Sequence, residues 1–385
     1  MRRVYLDYNA TAPLLPEALE AAVPYYTCVW GNASSIHRQG REARQAVEEA
    51  RGQVAHLVGA PNPLDIVFTG GGTEANNLAI RGYACGNRAR GNHIMTTRIE
   101  HPAVLDTCSV LEQQGYEVTY LPVDGQGRVD PEAVIGSMRP QTILLTVVHG
   151  NHEVGTLQPL AELVEVAHAH GVPVHVDAVQ AVGRVEVDVA ALGVDLLSLS
   201  GHKFGGPKGV GALYIAGGVG TTMQAILHGG HQERERRAGT EDVPSIVALG
   251  EACALMRQRL ADEGKRLTGL RDRLEAEVVA RIPGARVLGM SAARLPNTAN
   301  IGFPGVKGEA LVFNLDLLGV GVSTGASCSS RQGAPSQVLE AMGVSRDESE
   351  GSVRFSLGWG TTGEDIRHVL DVLPGTAERL RMLSP

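Results

Sequence analysis

The sequence predicts an α/β protein: a mostly parallel sheet flanked by helices, joined to a smaller α+β domain. Two observations predict it. Strand-like and helix-like segments alternate from about residue 40 to residue 215, the rhythm of parallel strands joined by crossover helices. After that stretch a long helical pattern runs from about Pro244 to Arg281. It is followed by short strands, a glycine- and serine-rich loop near residue 325 and a final helix. A chain of 385 residues suffices for roughly two domains with sizeable cores. The expected division gives a large α/β domain over 15–255 and a small domain made of 1–14 and 256–385.

The elements follow from local pattern. "REARQAVEEARGQVAHLVGA" carries apolar residues at helical spacing and stops near Gly59 and Pro61. "DIVFTGGGTEANNLAI" is a strand, a glycine turn and a helix start. "TILLTVVHG" and "VPVHVDAVQ" are strands, and between them "PLAELVEVAHAHG" is a helix closed by glycine. "LSLS" and "VGALYI" are apolar runs on either side of "GHKFGGPKG". Gly250, Gly264 and Gly269 weaken the case for one unbroken helix between Pro244 and Arg281.

Composition narrows the function classes. Hydrophobic residues make up 43% and charged residues 20%, as in an ordinary soluble globular protein. The formal net charge of -8 speaks against a nucleic-acid partner, and no basic block addresses an anionic membrane. No apolar run approaches the roughly 20 residues that span a bilayer, and the N-terminus lacks the apolar stretch of a secretory signal. The expected location is the cytoplasm. Cys28, Cys85, Cys108, Cys253 and Cys328 are odd in number and widely spaced, which suits neither a disulfide framework nor a zinc site.

Three segments carry chemistry. In "FTGGGTEANN", glycines and Thr73 between strand and helix offer free N–H groups to an anion, although a tight structural turn explains them as well. Asp177 ends a predicted inner strand, where open α/β sheets bind ligands; capping the next segment is the other explanation. Lys203 follows the next strand, between His202 and Phe204, with Ser200 nearby and glycines after it that permit close approach. An anion cup, a carboxylate and a lysine together fit pyridoxal 5'-phosphate, whose ring nitrogen needs an acidic partner and whose aldehyde needs an amine.

The sequence resembles the class V aminotransferase-fold enzymes, and within them the NifS/IscS-type cysteine desulfurases. The resemblance runs through "YLDYNATAP", "GNASSIHRQG", "FTGGGTEANNLAI", "EHPAVLDTC", "HVDAVQAVG", "SGHKFGGPKGVGALY", "RRAGTEDV", "STGASCSS" and "VRFSLG". It implies fold type I, the architecture of pyridoxal-phosphate-dependent aminotransferases. It implies that Lys203 forms the imine with the cofactor, Asp177 pairs with the pyridine nitrogen and Gln180 contacts the phenolic oxygen. His101 would stack on the ring and handle protons. Gly72, Thr73, Ser200 and His202 would hold the phosphate, and Thr240 would reach the phosphate site of a second subunit, since family members are homodimers. Arg354 would bind the substrate carboxylate, which a guanidinium fork suits, and Asn32 lies in a stretch expected near the substrate.

Cys328 decides the reaction the resemblance implies. Its neighbours in "GVSTGASCSSRQG" are small and polar, unlike those of a core cysteine. As the nucleophile it would take sulfur from L-cysteine, become a persulfide, release L-alanine and hand the sulfur to an acceptor protein. An iron–sulfur scaffold or a tRNA-thiolation protein would fill that role. No resident metal is expected, although Cys328 could transiently ligate an iron–sulfur cluster. His101 is the candidate base for its thiolate. Within the same superfamily, a selenocysteine lyase or an aminotransferase is the alternative; outside it, the short His spacings in "HAHGVPVH" and "HGGH" suggest a metal-dependent hydrolase. One departure stands out. In "HGNHEVG" the family commonly has a second asparagine that contacts the ring oxygen, and this chain has His152, a side chain that titrates near neutrality when unperturbed.

Overall fold

A computed structural model describes residues 2–325 and 336–383. Its strands are β1 (Val4–Tyr5), β2 (Ile66–Thr69), β3 (His93–Thr97), β4 (Glu117–Leu121), β5 (Thr142–Val148), β6 (Val174–Asp177), β7 (Leu196–Ser200), β8 (Gly211–Ile215), β9 (Arg286–Val287), β10 (Thr298–Gly302), β11 (Val320–Gly321) and β12 (Ser352–Ser356). Seven of them form one sheet in the order β2-β8-β7-β6-β5-β3-β4. All pairings from β7 to β4 are parallel, and β8 runs antiparallel to both β7 and β2. The inner strands β5, β6 and β7 are buried along their whole length. That is why they read as continuous apolar runs rather than alternating ones.

Helices cover both faces. The helix Arg38–Leu57 starts at His37, whose side chain accepts the Gly40 N–H, and buries Ala43, Val47, Ala50 and Val54 along one stripe. It packs on the helix Val243–Arg281, which is unbroken over 39 residues despite its glycines. Gly250 belongs to that contact. A Cβ there would lie 2.7 Å from Ala50 Cα, so glycine lets the two helices approach. What looks like a helix breaker in the sequence is therefore a packing residue.

A three-stranded antiparallel sheet, β12-β10-β9, and the parallel pair β1-β11 lie beyond the long helix. Their apolar cluster is separate from that of the large sheet. It joins Val4 and Leu6 to Leu274, Ile301, Phe303, Leu311, Phe355 and Leu370. The N-terminal residues thus serve the C-terminal sheet, while Asp7 to Ala12 cross towards Lys203. Among the described residues, no helix is long and apolar enough to cross a membrane.

Candidate active site

The C-terminal ends of β5, β6 and β7 open into a cavity of about 210 Å³. It is lined by Gly72, Thr73, His101, His152, Asp177, Gln180, Ser200, His202 and Lys203, joined by Asn76 and Val179. Parallel strands end side by side there, and the chain must turn away above each, so side chains from distant segments converge.

Lys203 sits in a short 3-10 turn, Gly201–Lys203, directly after β7. Its Nζ donates to the carbonyls of Asn9, at 2.6 Å, and Ala10, at 3.0 Å. The tight packing of Gly206 against Gly201 bends the backbone back under it; a Cβ on Gly206 would sit 3.0 Å from Gly201 Cα. Asp177 ends β6. One oxygen accepts the Val179 N–H at 3.0 Å, and the other accepts Asn76 Nδ2 at 2.7 Å. Capping and pocket placement, which compete in the sequence, both hold for this carboxylate.

The glycine turn is a cradle. Gly71 has φ +141°, and a Cβ on Gly72 would stand 2.7 Å from Val179 Cγ2 and 3.3 Å from Ser200 Cβ. Only a bare backbone leaves room at that end of the cavity. His101 caps the helix Pro102–Gln113, its Nδ1 accepting the Ala103 N–H at 3.1 Å. The neutral ring therefore carries its proton on Nε2. Burial pulls its pKa below the usual imidazole value, although Asp177 acts against this. It is thus both a cap and a wall of the cavity.

His152 stands edge-on to His101, ring centroids 5.4 Å apart. Its pKa is held well below the ordinary value, chiefly by burial, with His101, Arg354 and Lys203 adding positive charge. Titration near neutrality, the expectation for an unperturbed histidine, does not apply here. His152 Nδ1 is buried without a hydrogen-bond partner among the described residues. An unpartnered polar atom in a cavity wall is costly unless something binds there.

The residues present fit pyridoxal 5'-phosphate. Gly72 leaves the space of a missing side chain beside Val179 and Ser200, with its backbone N–H at a helix start. Asp177 puts a carboxylate, Lys203 an amine and His152 a buried ring nitrogen in the wall of one cavity.

Arg354, on β12, is buried behind this wall. It donates to His152 O at 2.9 Å and to Asp7 Oδ1 at 2.8 Å, while its Nε has no partner among the described residues. Asn32 lies outside the lining; its side chain accepts the Ser34 N–H at 2.8 Å. Thr240 is exposed and does not line the cavity. Cys328 lies outside the described residues. His168, one of the short-spaced histidines, pairs with Asp195 at 2.8 Å.

Sequence reasoning missed Asn9, Asn76, Asp7 and Arg184. Asn9 is central. Its carbonyl takes Lys203 and Gln180 Nε2, while its side chain donates to His152 O and Thr298 Oγ1. Only the polar cluster "DYNAT", following the buried Leu6, hinted at this.

The sequence pattern of the family Aminotransferase class-V matches residues 4–369. The chain belongs to the class-V aminotransferase family. It is 49% identical over 384 residues to the cysteine desulfurase IscS of Dictyoglomus turgidum, covering 100% of this chain and 97% of that protein. A solved NifS-like protein superposes with a TM-score of 0.92 at 36% identity, covering 98% of this chain and 100% of the other. The structure of SspA in complex with cysteine is similar at TM-score 0.82 and 34% identity, covering 92% and 98%. Fold type I is therefore the architecture, and the cofactor of this family is pyridoxal 5'-phosphate.

Proposed function

We propose that this cavity takes L-cysteine and that its residues divide the work as follows. The chain is a pyridoxal-5'-phosphate-dependent cysteine desulfurase, releasing L-alanine and retaining the sulfur as a persulfide on Cys328. The convergence of Lys203 and Asp177 on one cavity carries this reading, and the cysteine desulfurase relatives support it.

When bound, the cofactor supplies an electron sink that lets the substrate's α-proton leave. Gly72, Thr73, Ser200 and His202 would hold its phosphate, with Thr240 of a second copy completing that site. Asp177, fixed by Asn76 and Val179, would receive the ring's N–H. Lys203 would anchor the aldehyde and, once released, move protons at the α-carbon. His101, neutral and protonated on Nε2, would lie along the ring. Arg354 would take the substrate carboxylate; Asp7 and the His152 carbonyl already fix its fork. Asn32 would stand near the substrate. Cys328 would attack the substrate sulfur; for His101 to act as its base, Nδ1 would have to release the Ala103 N–H it caps, because Nε2 already holds a proton.

The same reading makes the working unit a cytoplasmic homodimer, divided within each chain into 15–255 and 1–14 with 256–385. The separate apolar cluster around Phe303 and Phe355 supports that division. The sulfur acceptor would be a protein, such as an iron–sulfur scaffold or a tRNA-thiolation protein. Incubation of the cofactor-loaded protein with L-cysteine tests the activity. Intact mass is expected to rise by one sulfur atom, mapped to Cys328, with alanine released; alanine without a sulfur adduct would contradict it.

A further inference from the structure

Arg184 is a buried cation without a carboxylate partner among the described residues. It is 8% exposed. Its side chain donates to four oxygens: the carbonyl and the side-chain oxygen of Gln180, and the carbonyls of Tyr8 and Lys203. Burial lowers its pKa to about 9, with Arg354 adding to the effect, so it is still charged at neutral pH. Burying a charge against neutral oxygens alone is expensive. A residue kept under that cost should perform a task.

The hydrogen bonds say what the task is. A glutamine amide can point either way, and neighbours decide which end is the donor. Arginine only donates. Its bond to Gln180 Oε1 therefore turns the Gln180 nitrogen away from it. That nitrogen donates one hydrogen to Asn9 O at 2.9 Å. The second hydrogen remains for the cavity, which Gln180 lines. The other arm of the guanidinium holds the Lys203 carbonyl at 3.1 Å. One fork thus ties the amide donor to the backbone of the lysine. Gly183 makes the placement possible: it has φ +77°, and a Cβ there would lie 2.6 Å from Phe204 Cβ.

We infer that Arg184 is a positioning residue that fixes Gln180 as a hydrogen-bond donor to the phenolic oxygen of the cofactor and places a positive charge at the Lys203 carbonyl. The inference rests on the reading of the cavity as a pyridoxal-phosphate site. Both effects disfavour a proton on the imine nitrogen. The donor stabilises the phenolate and weakens its hold on that proton, and the nearby cation opposes a second positive charge. Asp177, His101, His152, His202 and Arg354 also surround the site; they are the same in every variant below, so their influence is common to all.

The experiment is an absorbance titration of protein loaded with pyridoxal 5'-phosphate. The wild-type visible band should titrate with one midpoint. In Arg184→Met the midpoint should rise by roughly half to one pH unit, and in Arg184→Lys by less. Gln180→Leu should raise it too, and adding Arg184→Met to Gln180→Leu should shift it less than Arg184→Met does alone. If Arg184→Met does not fold, Gln180→Glu decides: it removes the donor yet leaves the guanidinium a partner, and its midpoint should rise. A normal wild-type titration beside an Arg184→Met or Gln180→Glu midpoint that is unchanged or lower overturns the inference alone, as does full additivity in the double variant. A fall in melting temperature without a shift in midpoint marks a merely structural role and overturns it as well. Wild-type protein that forms no lysine-bound band overturns the reading of the cavity, and this inference falls with it.

Discussion

Two pairs of buried histidines sit a few strands apart and behave differently. His93 and His175 lie inside the large sheet. His93 holds Thr142 Oγ1 at 2.7 Å and Thr119 Oγ1 at 2.8 Å, and His175 holds Thr146 Oγ1 at 2.7 Å and Ser198 Oγ at 2.9 Å. Every ring nitrogen is satisfied within the protein. His101 and His152 stand at the cavity. Among the described residues, His101 uses only Nδ1, as a cap, and His152 Nδ1 has no partner. All four are neutral because burial disfavours the charged ring. Burial and pKa therefore do not separate a core histidine from a working one here. Satisfaction does: a ring that closes its hydrogen bonds inside the sheet stabilises the fold, and a ring left open at a cavity is available to a ligand.

The comparison breaks most visibly at His101. His101→Ala should lower kcat by roughly 10²–10⁴-fold while shifting denaturant stability by no more than about 1 kcal/mol, the usual worth of a cap. A large loss of stability with intact turnover would put His101 in the same class as His175. Conversely, His175→Ala should cost about 2–4 kcal/mol, from a cavity and two hydroxyls left without their ring partner. Chemical denaturation measures this directly.

Acid sharpens the contrast. His93 is held down to about 4 and His175 to about 3, against 6.5 for a free ring. Below 6.5 the unfolded chain binds protons that the native rings refuse. Their contribution to stability is complete above that pH and is lost as pH falls through those lower values. Glu100 does the opposite. It is fully buried, and its pKa is pushed up to about 8 from 4.5 by desolvation, although Thr97 and the Val148 N–H bond one oxygen. Its contribution is complete below 4.5 and is lost as pH rises through about 8. Glu100→Gln should therefore flatten the fall in melting temperature between pH 4.5 and about 8 and leave the profile below 4.5 unchanged. The smallest effect belongs to His152→Asn. Both side chains are neutral, so kcat should change by only a few-fold, about 1 kcal/mol or less. A pH profile that moves towards neutrality would show that His152 titrates after all.

Much of the site was legible because it sits where chain direction changes. Asp177 and Lys203 end apolar runs, and a charge at the end of a buried strand stands out against its neighbours. Gly72 was legible as part of a glycine run between strand and helix. Arg184 and Asn9 were not. Arg184 looks like any arginine following a glycine, and its value depends on the carbonyls of Tyr8 and Lys203, which are remote in sequence. Asn9 holds Lys203 from 194 positions away. Hydrogen bonds to backbone carbonyls leave no residue-type signature, so a network built from them is invisible until the fold assembles it. The long helix shows the converse case. Gly250 suggested a break on propensity, and the tertiary contact with Ala50 outweighed it.

Every role proposed for the cavity requires the amine of Lys203 to anchor the cofactor. Protein loaded with pyridoxal 5'-phosphate, reduced with borohydride, digested and mapped by mass spectrometry tests it most directly. One stable pyridoxyl adduct is expected, on the peptide containing Lys203, and it should disappear in Lys203→Ala. An adduct on another lysine, or a fully loaded protein that yields none, would contradict it.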